Sequence, residues 1–418
     1  MEYTSREKDP LMPHLFRTEF PKITAFLCRY FGVEHLEEAE DTASESFLAA
    51  LESWPYKGIP ENPSAWLYRV AKNKALNRLA KMGREDKGKS LLKKQAVNSG
   101  IEVENREPAL EQFQLQDDEL RMLFVVCHPA LAAEAQIALA LRVCCGFGID
   151  EIAAALLAGK EAINKRLYRA REKIRTEKIE WELPASADIA ARMQNVLLTI
   201  YLLFTEGYYS ETNNELLREE LCREAMRLAH SLTLQQQTNL PEVQALIALF
   251  CFHASRFPAR KSAGDHWLLY HEQDAALWNQ ELIAKGAQYL HRATVGRHVS
   301  RYHLEAAIAY WHTRQEDSLE KWASILGLYD QLLEYFPSQV AALNRAYAVF
   351  KVKGADAALE TLQPLELKNS PYYYMLLAEL YKGKDLRYAK NSLQKALALA
   401  KTEADKRFIN TRILLFGK

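Results

Sequence analysis

GIDEIAAALLAGKEAINKRLYRAREKIR, residues Gly148–Arg175, reads as a short helix, a turn containing glycine, and a second helix with one apolar and one basic side. Ile163, Leu167, Ala170 and Ile174 recur at i, i+4, i+7 and i+11, so they share one face of the second helix. Glu161, Lys165 and Arg169 fall on the opposite face, with Arg166 and Lys173 beside them. The first helix offers Ile152, Ala153, Leu156 and Leu157 for packing, and Asp150 stands where it can cap that helix or fill its first turn. Gly159 is expected to supply the backbone freedom for a tight bend between two packed helices. A helix held this way can lay its polar face in the major groove of DNA. An ordinary amphipathic hairpin has the same pattern, so the flanking sequence has to decide.

At 418 residues the chain exceeds one ordinary core, and its length predicts roughly two to four domains. A hydrophobic content of 49% excludes wholesale disorder, and only 16 Gly and 14 Pro among abundant Ala, Leu, Glu and Lys point to an all-α protein. No apolar run approaches a membrane span, and MEYTSREKDP at the start lacks the apolar core of a secretion signal, so a cytoplasmic protein with no membrane partner is expected. The six cysteines show no paired spacing and make no disulfide framework. Cys127-His128 and Cys144-Cys145 lie in apolar helical stretches and read as small buried hydrophobes, not zinc ligands. With no Gly-rich phosphate loop, nucleophile elbow or metal cluster, neither an enzyme nor a bound cofactor is expected.

Net charge is zero, yet its distribution is uneven. Glu34–Glu52 holds seven acidic residues and no Lys or Arg, whereas Trp66–Lys94 holds ten basic against two acidic, and Lys160–Lys178 eight against three. Two basic segments and one acidic segment suit a protein that touches both DNA and a basic protein surface.

The pattern divides the chain into helices over 1–82, a charged linker without apolar period over 83–112, a second helical block over 113–180, a helical extension over 181–320 and tandem helical pairs over 321–418. In the last part Leu326–Phe336, Val340–Lys353, Ala355–Leu365, Tyr372–Tyr381 and Leu386–Ala400 read as helices. Ala341, Ala342, Ala346, Ala348, Ala389, Ala396 and Ala398 put small residues where helices approach closely, a spacing similar to degenerate tetratricopeptide repeats.

The helix opening at Pro63, with Asn62 as its cap, places Leu67, Ala71, Ala75 and Leu79 on one side. Trp66, Arg69, Asn73 and Asn77 recur on the other, flanked by Lys72, Lys74, Arg78 and Lys81. Such a face suits a strand being unstacked: the ring stacks, the amides read base edges and the cations hold phosphates. Trp66 also fits as a core anchor beneath the WPYKGIP loop. The preceding helix, EEAEDTASESFLAALESW, is acidic above and apolar beneath through Ala43, Phe47, Ala50 and Leu51; its acidic face either solubilises or docks a basic partner.

EEAEDTASESFLAALESWPYKGIPENPSAWLYRVAKNKALNRLAK resembles domain 2, and DDELRMLFVVCHPALAAEAQIALALRVCCGFGIDEIAAALLAGKEAINKRLYRAREKIR resembles domain 4, of extracytoplasmic-function sigma factors of the sigma-70 family. HPALAAEAQIALALR and LLFTEGYYS at 202–210 are similar to the subgroup that carries a large C-terminal helical extension with tetratricopeptide-like repeats. The resemblance implies a fold of domain 2 bundle, flexible linker, helix-turn-helix domain 4 and helical repeats. It implies that Glu38, Asp41, Glu45 and Phe47 bind the β′ clamp helices of RNA polymerase core. Asn62, Trp66, Arg69, Lys72, Asn73, Asn77 and Arg78 would then recognise and open the −10 element of promoter DNA. Lys160, Glu161, Asn164, Lys165, Arg166, Arg169, Arg171 and Lys173 would read the −35 element while the same unit contacts the β flap. The extension would regulate through a protein partner or intramolecular docking.

One departure concerns SAGDHWLLYHEQDAALWNQ, where the subgroup is expected to be richer in Arg and Asp. Asp265, His266, His271 and Asp274 fall there, but HEQD lacks the second histidine of a zinc-protease motif, so a loop bridging helices is the expected reading. Trp267, Tyr270, Trp278, Tyr372, Tyr373 and Tyr374 are candidates for an aromatic partner surface as well as for core. The alternative to a sigma factor is a core-independent helix-turn-helix regulator with a helical effector domain, and a repeat scaffold alone leaves the first 180 residues without a role.

Overall fold

Three apolar stripes at helical spacing in the first 85 residues become three mutually packed helices: α1 (Leu11–Phe31), α2 (Leu36–Lys57) and α3 (Pro63–Glu85). The computed structural model describes residues 11–85, 118–182, 184, 186–209, 217–260, 268–296 and 298–416, and every regular element among them is a helix. Of the expected linker only residues 83–85 are described, as the end of α3; the remainder lies outside the described residues. Two compact units emerge, Met1–Ile200 and Tyr201–Lys418.

In the first unit, Ile23, Leu27, Ala43, Ala50, Leu67, Ala71 and Ala75 close the core of the three-helix bundle. α1 stops at Gly32, whose φ of 83° suits a residue without Cβ. α2 runs on to Lys57 and takes in Pro55, because a proline in a last turn forfeits only one hydrogen bond before Gly58 ends the helix. Asn62 caps α3 as expected, its Oδ1 accepting the Ala65 N–H at 3.0 Å.

Residues 118–126 form α4, followed by α5 (Ala133–Val143), α6 (Ile149–Ala155) and α7 (Lys160–Glu177). Ile163, Leu167, Ala170 and Ile174 are all buried. The turn before α7 differs from the expectation. Gly159 has an ordinary φ of −75°, while Leu157 takes φ 49° and is 92% exposed. The chain reverses two residues earlier because the Leu157 and Ala158 N–H groups bond back to the carbonyls of Ala154 and Ala153. Leu157 therefore leaves the packing side assigned to it. α8 (Ser186–Tyr208) contributes its first half to this unit through buried Ile189, Met193 and Val196. Arg192 Nη1 donates to the Phe124 carbonyl at 2.8 Å, and Asn195 Nδ2 to Gln136 Oε1 at 2.7 Å.

In the second unit, α9 (Glu219–Leu232), α11 (Gln280–Ala293) and α12 (Arg301–Trp311) pack around α10 (Pro241–Ala254), which is apolar on all sides from Val243 to Phe252 and buried accordingly. The LLFTEGYYS stretch explains itself here. Glu206 forms a buried ion pair with Arg218, and the Gly207 carbonyl accepts the Arg218 N–H at 2.9 Å. A Cβ on Gly207 would stand 2.8 Å from the Arg218 carbonyl oxygen, so glycine is what allows α9 to start against α8. Tyr209 and Tyr372 both meet the carboxylate of Asp405 at 3.2 Å.

Helices α13 (Leu319–Tyr335), α14 (Gln339–Lys353), α15 (Ala355–Leu362), α16 (Pro371–Tyr381), α17 (Leu386–Leu399) and α18 (Glu403–Leu415) follow, each packed on the next. Ala346, Ala348, Ala389 and Ala396 are fully buried at these contacts, whereas Ala398 is exposed. α18 completes the helical array expected over 321–418; Thr402 caps it, its Oγ1 accepting the Asp405 N–H at 3.1 Å.

Candidate nucleic-acid interface

The α3 register sets the first surface. With Leu67, Ala71 and Ala75 buried, Arg69, Lys72, Asn73 and Asn77 stand exposed on the opposite side. Trp66 is half-buried: its ring meets Trp54 edge-on at 5.5 Å, so it serves as a packing partner of the loop and presents only part of its face. Asn62 is exposed, but its side-chain oxygen is committed to the cap. Arg78 turns toward α2 and pairs with Glu45, which Lys74 also reaches at 3.2 Å. Burial pushes the Glu45 carboxyl up, but the hydrogen bonds and charges of Lys74 and Arg78 together outweigh this and hold it below the ordinary glutamate value.

On α2 the expected partner-binding acids separate. Asp41 is exposed, Glu38 lies 3.5 Å from His35, and Glu45 is engaged by α3. Phe47 is 3% exposed and packed against Phe16 and Phe20, as its place on the apolar side with Ala43 and Ala50 predicts; the partner-binding role implied for it by the resemblance is corrected, because its ring does not stand on the surface with Asp41. Leu51 is a second correction, standing on the surface where packing was expected. Leu48 is exposed as well. The signal was available: Leu48 lies seven residues from Asp41 and four from Glu52, on the acidic side of the wheel. Tyr56 and Ile59 in the following loop are also exposed, Tyr56 almost completely.

On α7 the apolar stripe is satisfied inside, so Lys160, Glu161, Asn164, Lys165, Arg169 and Lys173 project outward. Lys160 pairs with Asp150 at 2.7 Å in an exposed contact that screening makes weak. Arg166 reaches Glu134 on α5. Arg171 does not face outward with the others. Its Nη2 meets Glu40 of α2 at 2.8 Å, and both side chains are largely buried.

Two further ion pairs join the same halves of the first unit. Arg17 of α1 meets Glu151 of α6 at 3.0 Å, and Arg29 of α1 meets Asp118 of α4 at 3.3 Å. Glu151 also accepts the Gly148 N–H at 2.8 Å, so one carboxylate both caps α6 and holds α1. Burial pushes the Glu40 carboxyl up despite the opposing charges of Arg171 and Arg142, which marks a contact taken out of solvent.

Away from these faces, burial pushes the Cys28, Cys127, Cys144, Cys222 and Cys251 thiols up, Cys127 to about 12, as expected of small hydrophobes. Among the described residues no group of three His, Cys, Asp or Glu side chains is placed to hold a metal ion. Asp265, His266 and Trp267 lie outside the described residues. Trp278 is buried, and Tyr270 and Tyr372–Tyr374 are half-buried, so these rings are mainly internal. Among the described residues no helix is long and apolar enough to cross a membrane.

Residues 15–85 match the family described as sigma-70 region 2, and residues 192–294 match a family of unknown function, DUF6596. Uncharacterized protein R00370 of Rhizobium meliloti is 34% identical over 402 residues, which cover 94% of this chain and 93% of that protein. The ECF RNA polymerase sigma-E factor of Haemophilus influenzae is 28% identical over 37% of this chain and 79% of its own length, and that of Escherichia coli K12 is 28% identical over 37% and 78%. No solved structure matches.

Proposed function

Because the chain belongs to one family with R00370 of Rhizobium meliloti and carries an ECF-type sigma-70-family domain over about 37% of its length, we propose that it is an RNA polymerase sigma factor that directs core polymerase to specific promoters. In this reading α3 engages the −10 element through Arg69, Lys72, Asn73, Asn77 and the free part of Trp66. α7 engages the −35 element through Lys160, Asn164, Lys165, Arg169 and Lys173, with Glu161 beside them. Asp41, Glu38, Leu48 and Leu51 on α2 offer an acidic and apolar surface for the β′ clamp helices, and the exposed turn at Leu157 is offered to the β flap.

The observation that carries the reading is the pairing of sigma-70 region 2 with two helices, α3 and α7, whose apolar stripes are buried and whose outer faces carry amides and cations. Cations position phosphates, amides and the ring meet bases, and binding that favours separated strands shifts the duplex toward opening. The chemistry of RNA synthesis belongs to the polymerase, and no catalytic step is assigned to this chain. The extension from residue 181 onward regulates the holoenzyme.

In vitro transcription with core polymerase on a promoter library tests this. Promoter-specific transcripts that require both the chain and core are expected. Specific operator binding without core, with no transcription in its presence, replaces the proposal with a core-independent regulator.

A further inference from the structure

The LLYHEQDAALW stretch, residues 268–278, has no role in promoter recognition, yet it is held more closely than a connecting loop requires. Leu269 packs against the apolar cluster of Ala396, Ala400, Phe408 and Ile409, where α17 meets α18. The Tyr270 hydroxyl donates to the Arg314 carbonyl at 2.7 Å and accepts from Lys321 Nζ at 2.6 Å. Lys321 lies in the first turn of α13, is 1% exposed, and also donates to the Arg314 carbonyl at 2.6 Å. Glu272 forms an ion pair with Arg412 of α18 while accepting the Leu269 N–H at 2.9 Å. Three side chains within four residues are thus gripped by both the first and the last helices of the array.

The grip is selective in its chemistry. Each contact uses a different property: the branched apolar end of Leu269, the hydroxyl of Tyr270 and the charge of Glu272. A buried lysine whose hydrogen bonds go to a tyrosine hydroxyl and a carbonyl, with the Asp317 charge offsetting only part of its burial, loses one of its two partners when the hydroxyl is removed. Burial pushes Lys321 down to about 8, and Arg412 helps hold Glu272 below the ordinary glutamate value although burial raises it.

We infer that Lys321 of α13, the apolar seam of α17 and α18, and Arg412 of α18 together form a recognition site for a single 3-10 turn of the pattern Leu-Tyr-x-Glu, and that residues 269–272 of this chain, which adopt that turn, occupy it as an intramolecular ligand. A protein partner of the extension must then present the same chemistry and displace the resident segment. A tethered segment acts at an effective concentration on the order of 1 mM, so a free segment of the same chemistry at micromolar concentration competes poorly until the resident one is removed. This inference is independent of promoter recognition and is tested without polymerase.

A fluorescein-labelled peptide, LLYHEQDAALW, is titrated with the full chain and read by fluorescence anisotropy. The triple variant Leu269→Ala/Tyr270→Ala/Glu272→Ala empties the site and is expected to bind the peptide at least tenfold more tightly than the unaltered chain. Adding Arg412→Glu to that variant is expected to abolish the gain. A peptide with alanine at its tyrosine and glutamate is expected to bind neither. Equal binding to the unaltered and triple-variant chains, or no binding to a triple variant that keeps its helical ellipticity and melting temperature, overturns the inference. Should the triple variant unfold, Glu272→Gln alone supplies the same comparison: it is expected to raise peptide affinity severalfold, and no change overturns the inference equally.

Discussion

Replacing Gly207 by alanine sets two effects of known size against each other. Alanine in place of a helical glycine gains about 1 kcal/mol of propensity. Against this, the added Cβ lies 2.8 Å from the Arg218 carbonyl oxygen, 2.8 Å from Leu221 Cβ and 2.9 Å from the Cys222 nitrogen. Two of these three atoms are backbone, so no side chain can swing aside; α9 itself must move. Overpacking of this kind costs about 1–3 kcal/mol and more when backbone has to shift, so Gly207→Ala is expected to destabilise the second unit by about 1–2 kcal/mol net. Gly327, in mid-α13, has nothing within 4 Å of the corresponding Cβ, so Gly327→Ala is expected to stabilise by about 1 kcal/mol. Backbone amide exchange, read by mass spectrometry in peptides from α9 and α13, reports the two sites in the intact chain without assuming that both units melt together. Opposite signs are expected: faster exchange in α9 for Gly207→Ala, slower in α13 for Gly327→Ala. Neutral or slowed exchange in α9 for Gly207→Ala refutes the argument that close helix approach selects glycine there.

Leu157→Gly removes a left-handed, solvent-exposed leucine and is expected to raise the stability of the α6–α7 unit by about 1 kcal/mol, measured by urea unfolding. Arg169→Ala, which changes an outward cation without touching the core, is expected to lower promoter-specific transcription about tenfold or more while leaving the helical ellipticity intact; unchanged transcription removes Arg169 and its face of α7 from the proposed −35 contact. His253 and His312 are both pushed down to about 3, mainly by burial and then by Arg256. The unfolded chain therefore binds protons that the folded chain does not between about pH 6.5 and 3. Stability of the second unit is expected to be full above that window and to fall on acidification, by at most about 1.4 kcal/mol per pH unit for each histidine. Denaturant melts at pH 7 and pH 5 check this, and His253→Phe should flatten the slope. Truncation after Glu182 removes Arg192 and Asn195 from the Phe124 carbonyl and Gln136 and is expected to destabilise the first unit. A chain ending at Tyr209 should keep those contacts and melt higher, which differential scanning calorimetry distinguishes.

Periodicity alone determined which sides of α3 and α7 face inward. Ile163, Leu167, Ala170 and Ile174 on α7, and Leu67, Ala71 and Ala75 on α3, are buried because a 3.6-residue repeat admits one apolar face. Caps were legible too: Asn62 works locally, through one hydrogen bond three residues on. Tertiary structure decided everything that depends on a second segment. Leu51 shares the apolar side of α2 with Ala43, Phe47 and Ala50 yet stands outside, because the bundle covers only part of α2 and a helical wheel does not show how wide the covered arc is. Arg171 turned to Glu40, and Arg78 to Glu45, through contacts spanning 131 and 33 residues, which no local pattern encodes. The stretch singled out at the start kept its inner face but lost its expected hinge: glycine permits a left-handed turn at 159, yet hydrogen bonds back to α6 placed that turn at Leu157. Likewise LLYHEQ showed only which groups it carries; that a leucine, a hydroxyl and a carboxylate meet α13, α17 and α18 required helices as far as 140 residues away to be in place.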